Sequence, residues 1–121
     1  MSRIVFCEDD SMIRKLVASA LRATTHDVRF ADNGRAGLAL IAETRPDVVF
    51  SDVAMPEMTG FEMADAMRGD AQLAHIPIVF VSASVQKEQI EECFRHGAAA
   101  HLAKPFTVNE LRARVAQFAN S

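Results

Sequence analysis

Val48-Val49-Phe50-Ser51-Asp52-Val53-Ala54-Met55-Pro56-Glu57-Met58-Thr59-Gly60-Phe61-Glu62 reads as one strand, one sharp turn and one helix start. Residues 48–50 form a short apolar run rich in β-branched side chains, suited to a strand buried on both faces. Ser51 and Asp52 follow it with polar groups. Thr59-Gly60-Phe61-Glu62 fits the capping box, in which hydroxyl and carboxylate each satisfy a free backbone N–H at a helix start. Met58 before the cap and Met63 inside the helix are placed to form the apolar staple that fixes how the chain enters the helix. A strand that feeds a helix in this way is the repeating unit of a parallel sheet.

The same alternation continues in both directions. Further apolar runs lie at residues 4–7, 28–31 and 78–81, with a weak one at 100–102. Between them, Met12, Ile13, Leu16, Val17, Ala20 and Leu21 repeat at the spacing of one helix face, as do Val108, Leu111, Val115 and Phe118; both stripes read as core-facing. Thr107-Val108-Asn109-Glu110 is a second capping box, with Phe106 and Leu111 as its staple. Asn33 and Ser84 suit helix caps, Gly97 suits the left-handed residue that ends a helix, and Pro77 is tolerable only as the first residue of its strand. The expectation is an α/β fold of five β-α units in one domain over residues 1–121, with helices on both faces of a parallel sheet and no linker or repeat.

Bulk properties exclude several classes. The 121 residues are half hydrophobic, enough for one core and too few for a comfortable second domain. A net charge of −3 argues against a polyelectrolyte and against a nucleic-acid binder. No apolar run approaches the ~20 residues that span a bilayer, and no secretion signal is visible, so a cytoplasmic location is expected. Cys7 and Cys93 form no C-x-x-C pair and read as buried, reduced thiols.

In open parallel sheets ligands sit beyond the C-terminal ends of the strands. The residues there are Glu8-Asp9-Asp10, Ser51-Asp52, Ser82 and Lys104-Pro105. Gathered carboxylates raise one another's pKa, so a cluster of this kind is costly at neutral pH without a cation. A hard, oxygen-seeking ion is the natural occupant, and Mg²⁺ is favoured over Zn²⁺ because no Cys or His has ligand spacing here. Singly, each residue has a plainer role: Asp10 or Ser11 as a helix cap, Ser82 as a loop serine, Lys104 as a solvated lysine. Their joint placement at successive strand ends is the argument for a site.

Asp52-Val53-Ala54-Met55-Pro56-Glu57-Met58-Thr59-Gly60 resembles the D-x-x-M-P-x-M-x-G signature of bacterial response-regulator receiver domains. With the acidic pair upstream and Lys-Pro downstream, the resemblance covers essentially the whole chain. It implies a doubly wound, flavodoxin-like (βα)5 fold with a parallel sheet in the order 2-1-3-4-5. It further implies that Asp52 accepts a phosphoryl group, and that Glu8 and Asp9 hold Mg²⁺ together with Asp52 and the backbone carbonyl of Ala54. Ser82 becomes the switch hydroxyl and Lys104 the phosphate contact, with a cis peptide at Lys104–Pro105. The implied donor is a sensor histidine kinase or a histidine phosphotransfer protein. The implied output is a downstream protein bound through the fourth helix, fifth strand and fifth helix, with no nucleic acid and no membrane involved. Such a chain is a phosphoacceptor switch of a two-component phosphorelay rather than a turnover enzyme, catalysing only its own phosphorylation and slow autodephosphorylation. No output domain is read in the sequence, and a partner is expected to supply the output.

Where many relatives carry an aromatic residue that turns inward on switching, this sequence has His101, whose imidazole can rotate like a ring and also titrate. Ala54 and Ser84 occupy the two positions that bear on lifetime in this family. Neither has an amide or carboxylate to orient an attacking water, so unusually fast self-dephosphorylation is not expected. Met12, Ile13 and Phe106 flank the expected pocket and are placed to dock a histidine-bearing helix. Rival readings fare worse. A haloacid-dehalogenase-type phosphatase needs a second Asp where Ala54 stands, and neither a nucleotide loop nor a flavin phosphate loop is present. A phosphorylation-independent pseudo-receiver, a phosphotransfer shuttle and an excised receiver of a hybrid kinase remain as alternatives.

Overall fold

The computed structural model describes residues 2–83 and 86–118. The apolar runs become five parallel strands, β1 (Arg3–Cys7), β2 (Asp27–Ala31), β3 (Val48–Asp52), β4 (Ile78–Ser82) and β5 (Ala100–Ala103), in the order β2-β1-β3-β4-β5. Five helices alternate with them: α1 (Ser11–Leu21), α2 (Gly34–Thr44), α3 (Gly60–Arg68), α4 (Lys87–Arg95) and α5 (Val108–Phe118). The central strands β1, β3 and β4 are buried on both faces, which is why their runs carry no polar alternation.

Successive strand residues serve opposite faces of the sheet. Ile4, Phe6, Phe50, Val79 and Val81 pack with Val17, Leu21, Leu111 and Val115, so α1 and α5 cover one face. Val5, Cys7, Val49 and Phe80 pack with Ile41, Met63, Met67 and Cys93, so α2, α3 and α4 cover the other. Phe6 and Phe50 stack at 5.5 Å with their planes 2° apart. Truncating Phe50 to Ala would cost about 3–5 kcal/mol by the usual response of a filled core.

The helix starts follow their sequence signals. Thr59 and Glu62 form a reciprocal capping box, as do Thr107 and Glu110. Met58 packs in the same core as Met63, and Phe106 in the same core as Leu111. Asn33 caps α2 through the Ala36 N–H. Gly97 takes a φ of 90° just beyond α4. Ser84, expected as a cap, lies outside the described residues; α4 starts at Lys87 with Gln86 in the cap position.

Three expectations need correction. The third strand runs on to Asp52 and the fourth to Ser82, because pairing with neighbouring strands carries the ladder past the apolar residues. Pro77 stands before β4, and its carbonyl accepts from Val49 N–H. The apolar stripe of α1 is wider than the sheet can cover: Val17, Ala20 and Leu21 are buried, whereas Met12 is 71% and Leu16 46% exposed. Val108 on α5 is similarly exposed.

Candidate functional site

Register alone brings the chemistry together. Cys7 pairs with Ser51, so Glu8 emerges level with Asp52. Asp52 pairs with Val81, and Ser82 with Ala103, so Lys104 leaves β5 beside them. The Lys104 N–H donates to the Ser82 carbonyl at 2.9 Å, continuing the ladder one residue further. The Lys104–Pro105 peptide is cis.

Glu8, Asp9 and Asp52 each place one carboxylate oxygen within 4.8 Å of the others. Glu8 is buried, Asp52 half-buried and Asp9 exposed, so the cluster grades from core to solvent. The Lys104 ammonium lies 2.6 Å from Glu8 Oε1 and donates to Asp52 Oδ2 at 2.9 Å. Glu8 Oε2 accepts the Asp10 N–H at 3.1 Å. Asp10 turns away and caps α1, accepting the Met12 N–H at 2.8 Å, which assigns it the plainer of the two roles open to it. Ala54 is exposed in the bend after β3.

Burial pushes the Glu8 carboxyl up to about 7, Lys104 and the Asp10 N–H pull it back, and the Asp52 charge adds to the rise. Burial by itself would push Lys104 down, but the Glu8 and Asp52 carboxylates outweigh it and hold the ammonium above its ordinary value. Glu8 Oε1 is fully buried and has no aligned hydrogen bond among the described residues, its close contact being the Lys104 ion pair. An all-oxygen donor set, three carboxylates against one ammonium, and a buried oxygen with spare acceptor capacity together fit a hard divalent cation such as Mg²⁺.

Beneath Asp52 the backbone is tightly supported. The Ser51 hydroxyl donates to the Asp52 carbonyl at 2.9 Å, and Gly60 N–H donates to Val53 O at 2.8 Å. A Cβ on Gly60 would lie 2.2 Å from the Asp52 carbonyl oxygen, so only glycine lets α3 start this close. In the sequence Gly60 is legible as part of a helix start and as the last residue of the receiver signature, but not as a point of close approach to Asp52. Sequence reasoning also missed Arg14, whose guanidinium donates to the Glu8 carbonyl at 2.8 Å. No local pattern marks a side chain that reaches back to a backbone group before its own helix.

His101 pairs in register with Phe80 on the α3 and α4 side of the sheet. Its Nε2 is buried with no hydrogen-bond partner among the described residues, and burial, then Arg114, pushes its pKa down. Cys7 and Cys93 are both free and buried, and burial pushes the Cys7 thiol up to about 12. Among the described residues, no helix is long and apolar enough to cross a membrane.

A family model described as the response regulator receiver domain matches residues 4–116. The DNA-binding dual master transcriptional regulator RpaA of Synechocystis is 36% identical over 115 residues, covering 95% of this chain and 48% of that protein. The chain thus spans about half the length of the first curated relatives it matches. The chemotaxis protein CheY of Pseudomonas aeruginosa is 30% identical, with 93% of this chain aligned to 92% of that protein. The solved structure of the chemotaxis response regulator CheY4 of Vibrio cholerae superposes with a TM-score of 0.91 at 33% identity, over 98% of each chain. Sequence, strand order and overall superposition agree, and the chain belongs to the response regulator receiver domain family.

Proposed function

We propose that this chain is a phosphorylation-controlled switch in which Asp52 is the phosphoacceptor and the fourth helix, fifth strand and fifth helix form the output surface. The observation that carries the reading is the half-buried Asp52 carboxylate, held 2.9 Å from Lys104 within a carboxylate cluster at the sheet rim. An oxygen of Asp52 attacks the phosphorus of a phosphohistidine on a sensor kinase or histidine phosphotransfer protein, or of a small acyl phosphate. With a phosphohistidine a P–O bond forms as the P–N bond breaks, and the leaving imidazole nitrogen keeps the electron pair and takes up a proton; with an acyl phosphate the bond that breaks is the P–O bond to the acyl group, which leaves as a carboxylate. Glu8, Asp9, Asp52 and the Ala54 carbonyl would hold Mg²⁺, which supplies neutralisation of the phosphoryl oxygens.

Lys104 is already charged and already aimed at Asp52, so its ammonium meets the incoming phosphoryl group without reorganisation. Once Asp52 is phosphorylated, Glu8 loses a share of Lys104 and the new oxygens offer acceptors to the Ser82 hydroxyl at the end of β4. Ser82 and Lys104 are joined through their backbones, so a shift at either one reaches β5 and His101. The protein is then a self-phosphorylating switch with slow self-reset and a downstream protein as its reader.

Backbone amide spectra recorded with and without acetyl phosphate and Mg²⁺ test this reading. Shifts should appear at Ser82, His101 and Ala103 as well as around Asp52, and vanish in Asp52→Asn. Changes confined to the residues around Asp52 would refute the switch while leaving the phosphoacceptor.

A further inference from the structure

We infer that Arg14 is a positioning residue for the cation site, holding the turn that carries Glu8 and Asp9 from behind. The inference rests on the reading of Glu8, Asp9 and Asp52 as a Mg²⁺ site and assigns that site a support outside its ligands. Glu8 leaves β1 with its N–H donated to the Ala31 carbonyl at 2.9 Å. Its own carbonyl accepts the Arg14 guanidinium at 2.8 Å. Both backbone groups of the buried ligand are therefore fixed, one by the sheet and one by α1.

The turn needs such a hold. Three carboxylates facing one ammonium repel one another, and Glu8 and Asp9 are the two of those carboxylates that lie outside any strand or helix. Arg14 is itself anchored, its N–H donating to the Asp10 carbonyl at 3.1 Å within the first turn of α1. Its side chain borders an open cleft of about 530 Å³ shared with Asp32 and Glu43. Water replacing the guanidinium there would satisfy the carbonyl but would not fix the turn, because a water is not tethered to the helix.

Electrostatics gives the opposite sign, which makes the inference testable. Arg14 is a cation near a cation site, so deleting its charge should tighten Mg²⁺ binding if charge were its whole role. Positioning predicts weaker binding, of the size seen when groups that orient metal ligands are removed, about tenfold or more. The test is calorimetric titration of the full chain with MgCl₂ for wild type, Arg14→Met, Arg14→Lys and Lys15→Met, with thermal unfolding of each measured without metal. Lys15→Met removes an exposed neighbouring charge from the same helix and controls for the field.

Arg14→Met should weaken Mg²⁺ about tenfold, Arg14→Lys should recover most of the affinity through its own donor, and Lys15→Met should bind as tightly as wild type or slightly tighter. If Arg14→Met fails to fold, Arg14→Gln, with a shorter donor, should fall between wild type and the expected loss. Mg²⁺ affinity in Arg14→Met equal to or tighter than wild type overturns the positioning role and leaves the site reading intact. A wild type that takes up no Mg²⁺ overturns the site reading, and the role of Arg14 with it.

Discussion

Replacing Gly60 with Ala puts one methyl group where α3 meets the strand end that presents Asp52. The new Cβ would sit 2.2 Å from the Asp52 carbonyl oxygen and 3.1 Å from Ser51 Oγ. Ordinary contact begins at 3.4 Å, so the Asp52 carbonyl, at the end of β3 where the strand is paired with β4, must retreat by about 1.2 Å. Overfilling a packed region costs about 1–3 kcal/mol, and a rigid neighbour belongs at the upper end, about 2–3 kcal/mol. For a domain of this size that is a fall in Tm of roughly 6–15 °C. Gly69→Ala, the same change at the other end of α3, should do the reverse. Gly69 has φ −76°, which alanine adopts freely, and its Cβ would meet only carbonyl oxygens at 3.6 and 3.8 Å. Loss of chain entropy in the unfolded state should then stabilise it by about 0.4–1 kcal/mol. The protein has no Trp and no Tyr, so thermal unfolding is best followed by far-UV circular dichroism or calorimetry. A Gly60→Ala Tm within a degree of wild type, or a Gly69→Ala loss larger than that of Gly60→Ala, would refute the close-approach argument.

Glu8 should make the metal-free protein less stable as pH rises. Its folded pKa of about 7 lies above the ordinary 4.5, so the folded state binds the extra proton and stability drains away between those two values. Glu8→Gln should flatten that part of the Tm profile, and millimolar Mg²⁺ should restore Tm above pH 7; a profile that rises from pH 5 to 7.5 with a slope Glu8→Gln leaves untouched would count against the burial argument. His101→Phe removes a buried ring nitrogen that has no partner among the described residues and should raise stability by about 1 kcal/mol near pH 8. Because the folded pKa of His101 lies below its ordinary value, the wild type loses stability as pH falls through that range, and the gain from His101→Phe should be larger at pH 5.5 than at pH 8. An equal or smaller gain in acid, read from calorimetric melts, would contradict the burial of that nitrogen.

Much of this architecture is legible in local signals. Each central strand is an apolar run because both its faces are covered, and α3 and α5 start at capping boxes that need only four consecutive residues. Glu8, Asp52, Ser82 and Lys104 were found because parallel register sends every strand end to one rim, whatever the residues between. What was not legible depends on distances between elements. Met12 and Leu16 share the period of the buried residues, but a helix lying on a sheet hides a narrower arc than the stripe occupies. The clash at Gly60 and the reach of Arg14 to Glu8 are set by where α3 and α1 dock, which no spacing in the chain encodes. The inward burial of the His101 nitrogen likewise follows from what β5 packs against.

The most direct measurement is the intact mass of the protein after incubation with acetyl phosphate and Mg²⁺, beside Asp52→Asn and a metal-free control. The account predicts a gain of one phosphoryl group that requires both Asp52 and Mg²⁺ and is slowed by replacing Lys104. A gain that persists in Asp52→Asn, or no gain either here or with a phosphohistidine donor, would contradict the assignment of Asp52 as the phosphoacceptor.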